Sequence, residues 1–307
     1  MHKLTIGCRR GAATLLIGAA LLPTATISAL ELVAEPSVAP DPRIAQVENG
    51  LLPRFVERSR AGQPIGLLER MAELGIPGLS VAVIDGRELA WARGYGVLDL
   101  ESKREVTPES LFLAGSISKP VAATAALRLV QEGKLTLDGD VNRWLRSWRL
   151  PSSAAFGDEV VTLRRLLTHT AGLTVHGFPG YARTEIPTVP QVLDGEAPAN
   201  TAAVRVDLTP GTEWRYSGGG YTVMQLLLAD VSGRPFEELV ADSVLGPFGM
   251  ASSTYQNPLP ADFHQLAATG HHPGQRPVAG GWHVYPEMAA AGLWTTASDL
   301  ARFAIGI

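Results

Sequence analysis

A serine and a lysine stand three residues apart in the segment Gly115-Ser116-Ile117-Ser118-Lys119-Pro120. If this segment opens a helix, the two side chains share one face of its first turn, with Cβ atoms about 5–6 Å apart. A serine hydroxyl is a poor nucleophile until a neighbouring base activates it, and desolvation lowers the pKa of a lysine enough for this task. The pair predicts nucleophilic catalysis at Ser116. The alternative is a serine that only caps a helix and a lysine that is solvated.

A tyrosine is the third residue that could take part, because a phenol can transfer protons when nearby cations stabilise its phenolate. It lies in the segment 210–221, where a turn leads to Tyr216 and the small residues Gly218-Gly219-Gly220 precede a predicted helix. On this pattern alone, a core tyrosine satisfied by one hydrogen bond is the more ordinary interpretation. Tyr216 is therefore a candidate acid or base.

The elements that must position these residues include both strands and helices. The strand-like runs Gly78–Ile84 and Leu89–Val97 flank Asp85-Gly86, which is a strong signal for a β-hairpin. A helix-like stretch precedes the hairpin, from Asp41 to Leu74, and Gly62-Gln63-Pro64 interrupts it. The other predictions are helices at Pro120–Gly133, Val161–Leu167 and Tyr221–Val231, a final helix that begins near Ser298-Asp299, and a long loop at 174–212 beside the site.

The beginning of the chain is typical of a secretory signal peptide. Basic residues precede an apolar run from Gly11 to Leu22, and small residues follow it up to Ala29. We expect residues 1–29 to be a signal peptide, residues 30–43 to be a flexible leader, and the protein to be exported to the periplasm or secreted. The alternative is an uncleaved N-terminal anchor, although the run is shorter than the roughly 20 residues that a membrane span needs.

Composition and missing motifs limit the remaining classes of function. The chain has 307 residues, of which 46% are hydrophobic, and this composition predicts a globular protein. Its net charge is −4 and it has no basic run, so we predict that it does not bind nucleic acid. It contains no G-x-S-x-G elbow, no Walker A lysine and no H-E-x-x-H. The adjacent histidines His271-His272 are interpreted as loop residues. We predict no cofactor, no metal and no membrane contact beyond the export signal, and leave the oligomeric state open.

Together, Ser116-x-x-Lys119 and Tyr216-Ser217-Gly218 resemble the motifs of the penicillin-recognising serine hydrolases. These enzymes comprise class C β-lactamases, D-alanyl-D-alanine carboxypeptidases and family VIII esterase-like hydrolases. The resemblance covers about Ile44 to Ile307, and several ordered blocks make it specific although each block alone is weak. The other blocks that are similar to family signatures are Leu166–Leu173, Pro210–Thr212, Val244–Met250 and Ala291–Leu300.

The resemblance implies an α/β fold of the β-lactamase/transpeptidase type. In this fold an antiparallel sheet is flanked by helices and stands beside a mostly helical lobe. Residues 44–307 would form a single domain, with 44–115 and about 283–307 in the α/β lobe and about 116–282 in the helical lobe.

The resemblance also implies a mechanism. Ser116 would be acylated and would supply its backbone N–H as one oxyanion donor, while Lys119 and Tyr216 share the general acid and base work. His169, in the first accompanying block, would order its loop rather than react. The substrate would be a small molecule or peptide: an ester, a D-amino-acid peptide or a β-lactam.

Two features depart from the family's pattern. Gly218 stands where the tyrosine motif usually ends in an asparagine that contacts substrate, so only backbone groups are left for substrate binding and β-lactam recognition is in doubt. The third motif, a K-x-G or H-x-G tripeptide, does not occur between Leu300 and Ile307. We therefore expect the C-terminal part of the fold, with its second oxyanion donor, to be missing. The main prediction is an exported serine hydrolase; the alternative is a truncated or catalytically weak relative that binds peptides or β-lactams, or an inactive remnant.

Overall fold

The computed structural model describes residues 41–52 and 64–307. The chain divides into two units, residues 1–44 and 45–307, and, apart from residues 41–44, all that follows concerns the second. The predicted signal peptide at 1–29 and most of the predicted leader lie outside the described residues, as does most of the predicted helix interruption at Gly62-Gln63-Pro64. No helix in the described ranges has the length and apolar character needed to cross a membrane.

The predicted hairpin is present. Strand β1 (Gly78–Asp85) pairs antiparallel with β2 (Glu88–Gly96), and Asp85 faces Glu88 across the turn. Both central turn residues, Gly86 and Arg87, have positive φ angles of 58° and 67°. Such a turn matches the right-handed twist of the strands that it joins, and Gly86 favours it because glycine adopts positive φ without steric cost.

The helices and the remaining strands are short. The helices are α1 (Pro42–Asn49), α2 (Leu67–Leu74), α3 (Ser118–Gln131), α4 (Leu163–Leu167), α5 (Val189–Asp194), α6 (Gly218–Ser232), α7 (Phe236–Val240), α8 (Met288–Ala291) and α9 (Ala297–Gly306). The strands after the hairpin are β3 (Phe112–Leu113), β4 (His271–His272), β5 (Arg276–Pro277) and β6 (Trp294–Thr295).

The core is built around α6. This helix is apolar on every side, and all its residues from Gly218 to Leu228 are buried, which is expected of a helix surrounded by other elements. It packs against α3, α4, α5, α7 and α8. The fully buried alanines Ala122, Ala125 and Ala126 on α3 present little side-chain volume to this core. Helices α3 and α6 therefore pack against each other, and this contact supports the residues at the start of each helix.

Two elements connect the start of α3 to the end of the chain. Strand β3 pairs antiparallel with β6, so that Leu113 lies opposite Trp294. Helix α9 follows β6 and packs on β1 and β2. The segment just before Ser116 is thereby held against the segment just after α8.

The adjacent histidines His271-His272, interpreted from the sequence as loop residues, form strand β4, and helix α6 begins at Gly218 rather than at Tyr221. In two other places the structure refines the sequence prediction. The final helix, predicted to begin near Ser298-Asp299, is α9, which begins at Ala297; its cap is Thr296, whose hydroxyl accepts the N–H of Asp299 at 3.1 Å. The predicted loop at 174–212 contains α5, which a capping box between Thr188 and Gln191 begins. In both cases a threonine that accepts a backbone N–H sets the boundary of the helix.

Candidate active site

The beginning of α3 brings Ser116 and Lys119 together. A single turn of 3-10 helix, Gly115–Ile117, leads directly into α3, so the three-residue spacing places both side chains on one face. The Nζ of Lys119 lies 3.1 Å from the Oγ of Ser116. Ser116 is exposed, whereas Lys119 is only 6% exposed. An accessible hydroxyl thus contacts a buried amine, as a nucleophile and its base require.

Ser118 fixes this turn to the rest of the fold. Its hydroxyl donates to the carbonyl of Gly115 and accepts the N–H of Leu293 at 2.9 Å. A second bond joins the N–H of Ala114 to the carbonyl of Leu293 at 2.8 Å. These bonds connect the turn that carries Ser116 to the residues between α8 and β6.

Lys119 is surrounded by groups that favour opposite charge states. Its Nζ donates to the carbonyl of Ala290 at 2.7 Å and lies 4.9 Å from the ring centroid of Tyr216 and 5.7 Å from that of Tyr221. Desolvation lowers the pKa of Lys119, while the hydroxyl of Tyr216 acts in the opposite direction. Because burial is the larger effect, the amine gives up its proton more easily than an exposed lysine and is suited to act as a base.

Tyr216 is positioned by the N-terminus of α6. The next residue, Ser217, is the cap: its hydroxyl accepts the N–H of Gly220 at 2.9 Å and donates to the carbonyl of Thr174 at 2.7 Å. The half-buried ring of Tyr216 contacts two imidazoles, with centroid distances of 4.3 Å to His169 and 4.8 Å to His176. The cap and the contacts with these two tilted rings together hold Tyr216 beside Lys119.

His169 orders this loop, as the sequence predicts. Its Nδ1 accepts the backbone N–H of Ser217 at 3.1 Å, which places the proton of the neutral ring on Nε2. Burial, followed by the charges of Lys119 and His176, lowers the pKa of His169 and favours that neutral form. A neutral imidazole bonded to the backbone can support the loop that carries Tyr216 without a carboxylate partner.

Ser116 and Lys119 line two adjoining hollows. One has a volume of about 280 Å³ and is bounded by Gly177, Phe178, Gly218, Tyr285, Ala290 and Ala291, with Leu113 and Gly115. The other, of about 500 Å³, is bounded by Ala114, Ile117, Pro120, His169, Tyr216 and Tyr221. The nucleophile therefore has space on both sides, as transfer of an acyl group from a leaving group requires.

Gly218 borders the first hollow, but its backbone is already engaged. Its N–H donates to the carbonyl of His176 at 3.0 Å, so this N–H is not offered to a ligand. A Cβ atom at this position would lie 3.0 Å from that same carbonyl oxygen and 3.1 Å from the ring of Phe178. The segment 176–178 thus fills the space that a longer side chain at 218 would need.

Several contributors to the site are absent from the sequence prediction. The carbonyl of Ala290 and the rings of Phe178, Tyr221 and Tyr285 reach the site through tertiary contacts that no local pattern encodes. Glu287, a buried acid just before α8, carries one signal in the sequence: it is a single charge within the otherwise uncharged run 277–298.

The profile of the family described as Beta-lactamase matches residues 67–306. The chain belongs to the beta-lactamase family. Its sequence is similar to esterase EstB of Burkholderia gladioli, with 31% identity over 67% of this chain and 53% of the esterase. It is also similar to putative penicillin-binding protein PbpX of Bacillus subtilis, with 29% identity over 62% of this chain and 46% of that protein.

Solved structures of this family share the fold. A class C beta-lactamase matches with a TM-score of 0.60 and 28% identity, over 77% of this chain and 61% of that one. The octameric penicillin-binding protein homologue from Pyrococcus abyssi matches with a TM-score of 0.60 and 26% identity, over 78% of this chain and 54% of that one. The predicted α/β fold of the β-lactamase/transpeptidase type is confirmed. The chain spans about half the length of the curated relatives named above.

Proposed function

We propose that this member of the beta-lactamase family is an exported serine hydrolase that forms an acyl-enzyme on Ser116 and acts on small uncharged esters. The observation that carries the proposal is the 3.1 Å contact between the exposed Ser116 hydroxyl and the buried Lys119 amine. Relatives in this family include a protein named as an esterase and structures titled as class C beta-lactamases.

The reaction follows from this contact. Lys119 in its neutral form accepts the hydroxyl proton as Ser116 Oγ attacks the ester carbonyl, and a new bond forms between Oγ and the acyl carbon. The bond from that carbon to the leaving oxygen then breaks, and the proton passes to the departing alcohol through Lys119 or Tyr216. Water repeats the sequence on the acyl-enzyme, which releases the acid and restores Ser116.

The lining of the two hollows favours esters over the other substrates of the family. Both β-lactams and D-amino-acid peptides carry a carboxylate that needs a cationic or hydrogen-bonding anchor. Within the described residues, Lys119 is the one lysine or arginine that borders either hollow, and it already contacts Ser116 and Ala290. Gly218 offers no side-chain amide either. An uncharged ester needs neither group.

A substrate panel tests this proposal. We expect the purified protein to hydrolyse p-nitrophenyl butyrate and to leave a chromogenic cephalosporin and a D-alanyl-D-alanine peptide unchanged, while Ser116→Ala hydrolyses none of them. Preference for the cephalosporin would overturn the substrate assignment. A stable adduct with the cephalosporin that does not turn over would instead support a β-lactam binder. Absence of any reaction or adduct would support an inactive remnant.

The export part of the proposal rests on residues 1–29, with their basic start and their apolar run from Gly11 to Leu22. Expression of the full chain in a bacterial host, followed by fractionation and N-terminal sequencing, tests it. We expect a processed protein in the periplasm or medium that begins near residue 30. An unprocessed protein that remains in the cytoplasm would contradict export, and one retained in the membrane would support the uncleaved anchor.

A further inference from the structure

Glu287 is a buried acid that the acylation steps do not use. Its side chain is fully buried at 0% exposure, and neither carboxylate oxygen lies in hydrogen-bonding geometry with a donor of the described residues. A carboxylate that is buried without a cationic partner is strongly destabilised, so the group is far more stable there when it is protonated. Burial accordingly raises the pKa of Glu287 to about 7.

The backbone around Glu287 leads directly to the catalytic lysine. The carbonyl of Glu287 accepts the N–H groups of Ala290 and Ala291, both at 3.0 Å, and so closes the turn of α8. The carbonyl of Ala290, at the far end of that turn, accepts from the Nζ of Lys119 at 2.7 Å. Any movement of residue 287 would therefore displace a hydrogen-bond partner of Lys119.

Hydrogen bonds from two neighbours, Gln225 and Tyr181, hold this segment. From α6, the amide of Gln225 donates to the carbonyl of Pro286 at 2.9 Å and accepts the N–H of Ala289 at 3.0 Å. Just before this segment, Val284 exchanges two backbone hydrogen bonds with Tyr181, at 2.9 and 2.8 Å. The hydroxyl of Tyr181 faces the carboxyl closely enough to lower its pKa.

We propose that Glu287 is a positioning residue, which remains buried as a neutral carboxyl beside Tyr181 and Gln225 and keeps the Ala290 carbonyl against Lys119. Loss of its proton would draw the segment 285–291 towards water and away from Lys119. The inference rests on the proposed hydrolase function, since it concerns the base of that reaction.

Among the residues that the structure describes, none provides a compensating charge beside the Glu287 carboxyl. The titratable groups that face it are the hydroxyls of Tyr181 and Tyr285, both with a raised pKa and therefore neutral at pH 9. Gln225 contributes only an uncharged amide, and Lys119 reaches this segment only at the Ala290 carbonyl. At pH 9, a group with a pKa of about 7 is about 99% ionised. We therefore expect the positioning to fail in alkaline solution.

The test compares the rate at which a fluorophosphonate labels Ser116 in wild type and in Glu287→Gln, which is nearly isosteric and cannot ionise. We expect the ratio of the Gln rate to the wild-type rate to rise about tenfold or more between pH 6 and pH 9. The matched control is Glu101→Gln, an exposed glutamate, for which the ratio stays constant. A constant ratio for Glu287→Gln would overturn the inference.

Two further measurements keep the test decisive. Tyr181→Phe removes a hydroxyl that lowers the pKa of Glu287, so the alkaline loss of labelling moves to higher pH. A loss of labelling at an unchanged or lower pH would contradict the inference.

Hydrogen exchange over residues 283–293, corrected for the intrinsic rate, is the second measurement and needs no catalysis. We expect faster corrected exchange at pH 9 than at pH 6 in wild type only. If wild type is never labelled but its exchange is faster at pH 9, the proposed hydrolase function is refuted and the movement of the Glu287 segment is supported. If the corrected exchange is equal at pH 6 and pH 9, the movement of that segment is refuted.

Discussion

Gly218, Gly219 and Gly220 form the first turn of α6, and the space around each of them differs. A Cβ atom at Gly219 would lie 2.8 and 2.9 Å from the two methyl groups of Val204 and 3.0 Å from the carbonyl oxygen of Thr174. At Gly220 the nearest atoms, on Leu173 and Leu166, would be 3.5 and 3.7 Å away, which is ordinary contact. A single methyl group should thus have opposite effects at adjacent positions.

The magnitudes follow from these distances. Replacement of a helical glycine by alanine stabilises by about 0.5–1 kcal/mol through the entropy of the unfolded chain, and this gain is shared by both variants. Overpacking in a tight core costs about 1–3 kcal/mol and applies only to Gly219→Ala. We expect Gly220→Ala to be as stable as wild type or more stable, and Gly219→Ala to be less stable than Gly220→Ala by about 1–3 kcal/mol.

Urea unfolding followed by circular dichroism measures this difference. The urea dependence of the unfolding free energy should be the same for both variants, so that the midpoints report stability alone. Equal midpoints, or a higher midpoint for Gly219→Ala, would refute the argument that close packing selects glycine at this turn.

Three other changes have definite expected outcomes. Lys119→Met should reduce ester hydrolysis by about 10²–10⁴-fold, because a base is lost, with an unchanged circular dichroism spectrum. The pKa of Glu287 lies at about 7, above its ordinary 4.5, so wild type should lose about 3 kcal/mol of stability as the pH rises through this interval. Urea unfolding at pH 4.5 and pH 8 should show this loss in wild type and not in Glu287→Gln. Asp299→Ala should cost about 2–4 kcal/mol in urea unfolding, since the buried carboxylate accepts from Ser252, Ser253 and Arg302; a loss below 1 kcal/mol would contradict this role.

The parts of the site that are local in sequence could be predicted. The 3.1 Å contact between Ser116 and Lys119 follows from a three-residue spacing on one helical turn, and the β1–β2 hairpin follows from Asp85-Gly86. The placement of Tyr216 beside Lys119 came from the family resemblance, because no rule of spacing relates residues so far apart in the chain.

Other features depend on tertiary contacts and so escaped prediction. Helix α6 begins at Gly218 rather than at Tyr221, although glycine is a weak helix former, because Ser217 caps the helix there. Val204 and the segment 176–178 leave little room for side chains at Gly218 and Gly219. The Ala290 carbonyl contacts Lys119, which is 171 residues away in the sequence. The proposed positioning role of Glu287 depends on that contact. Packing overrides local propensity in each case.

Acylation of Ser116 is the central claim, and covalent labelling tests it most directly. The purified protein is incubated with a fluorophosphonate, its intact mass is measured, and the modified peptide is mapped. We expect one adduct, located on Ser116, that is absent from Ser116→Ala and forms more slowly in Lys119→Met. A protein that gains no adduct, or an adduct that persists in Ser116→Ala, would contradict the account.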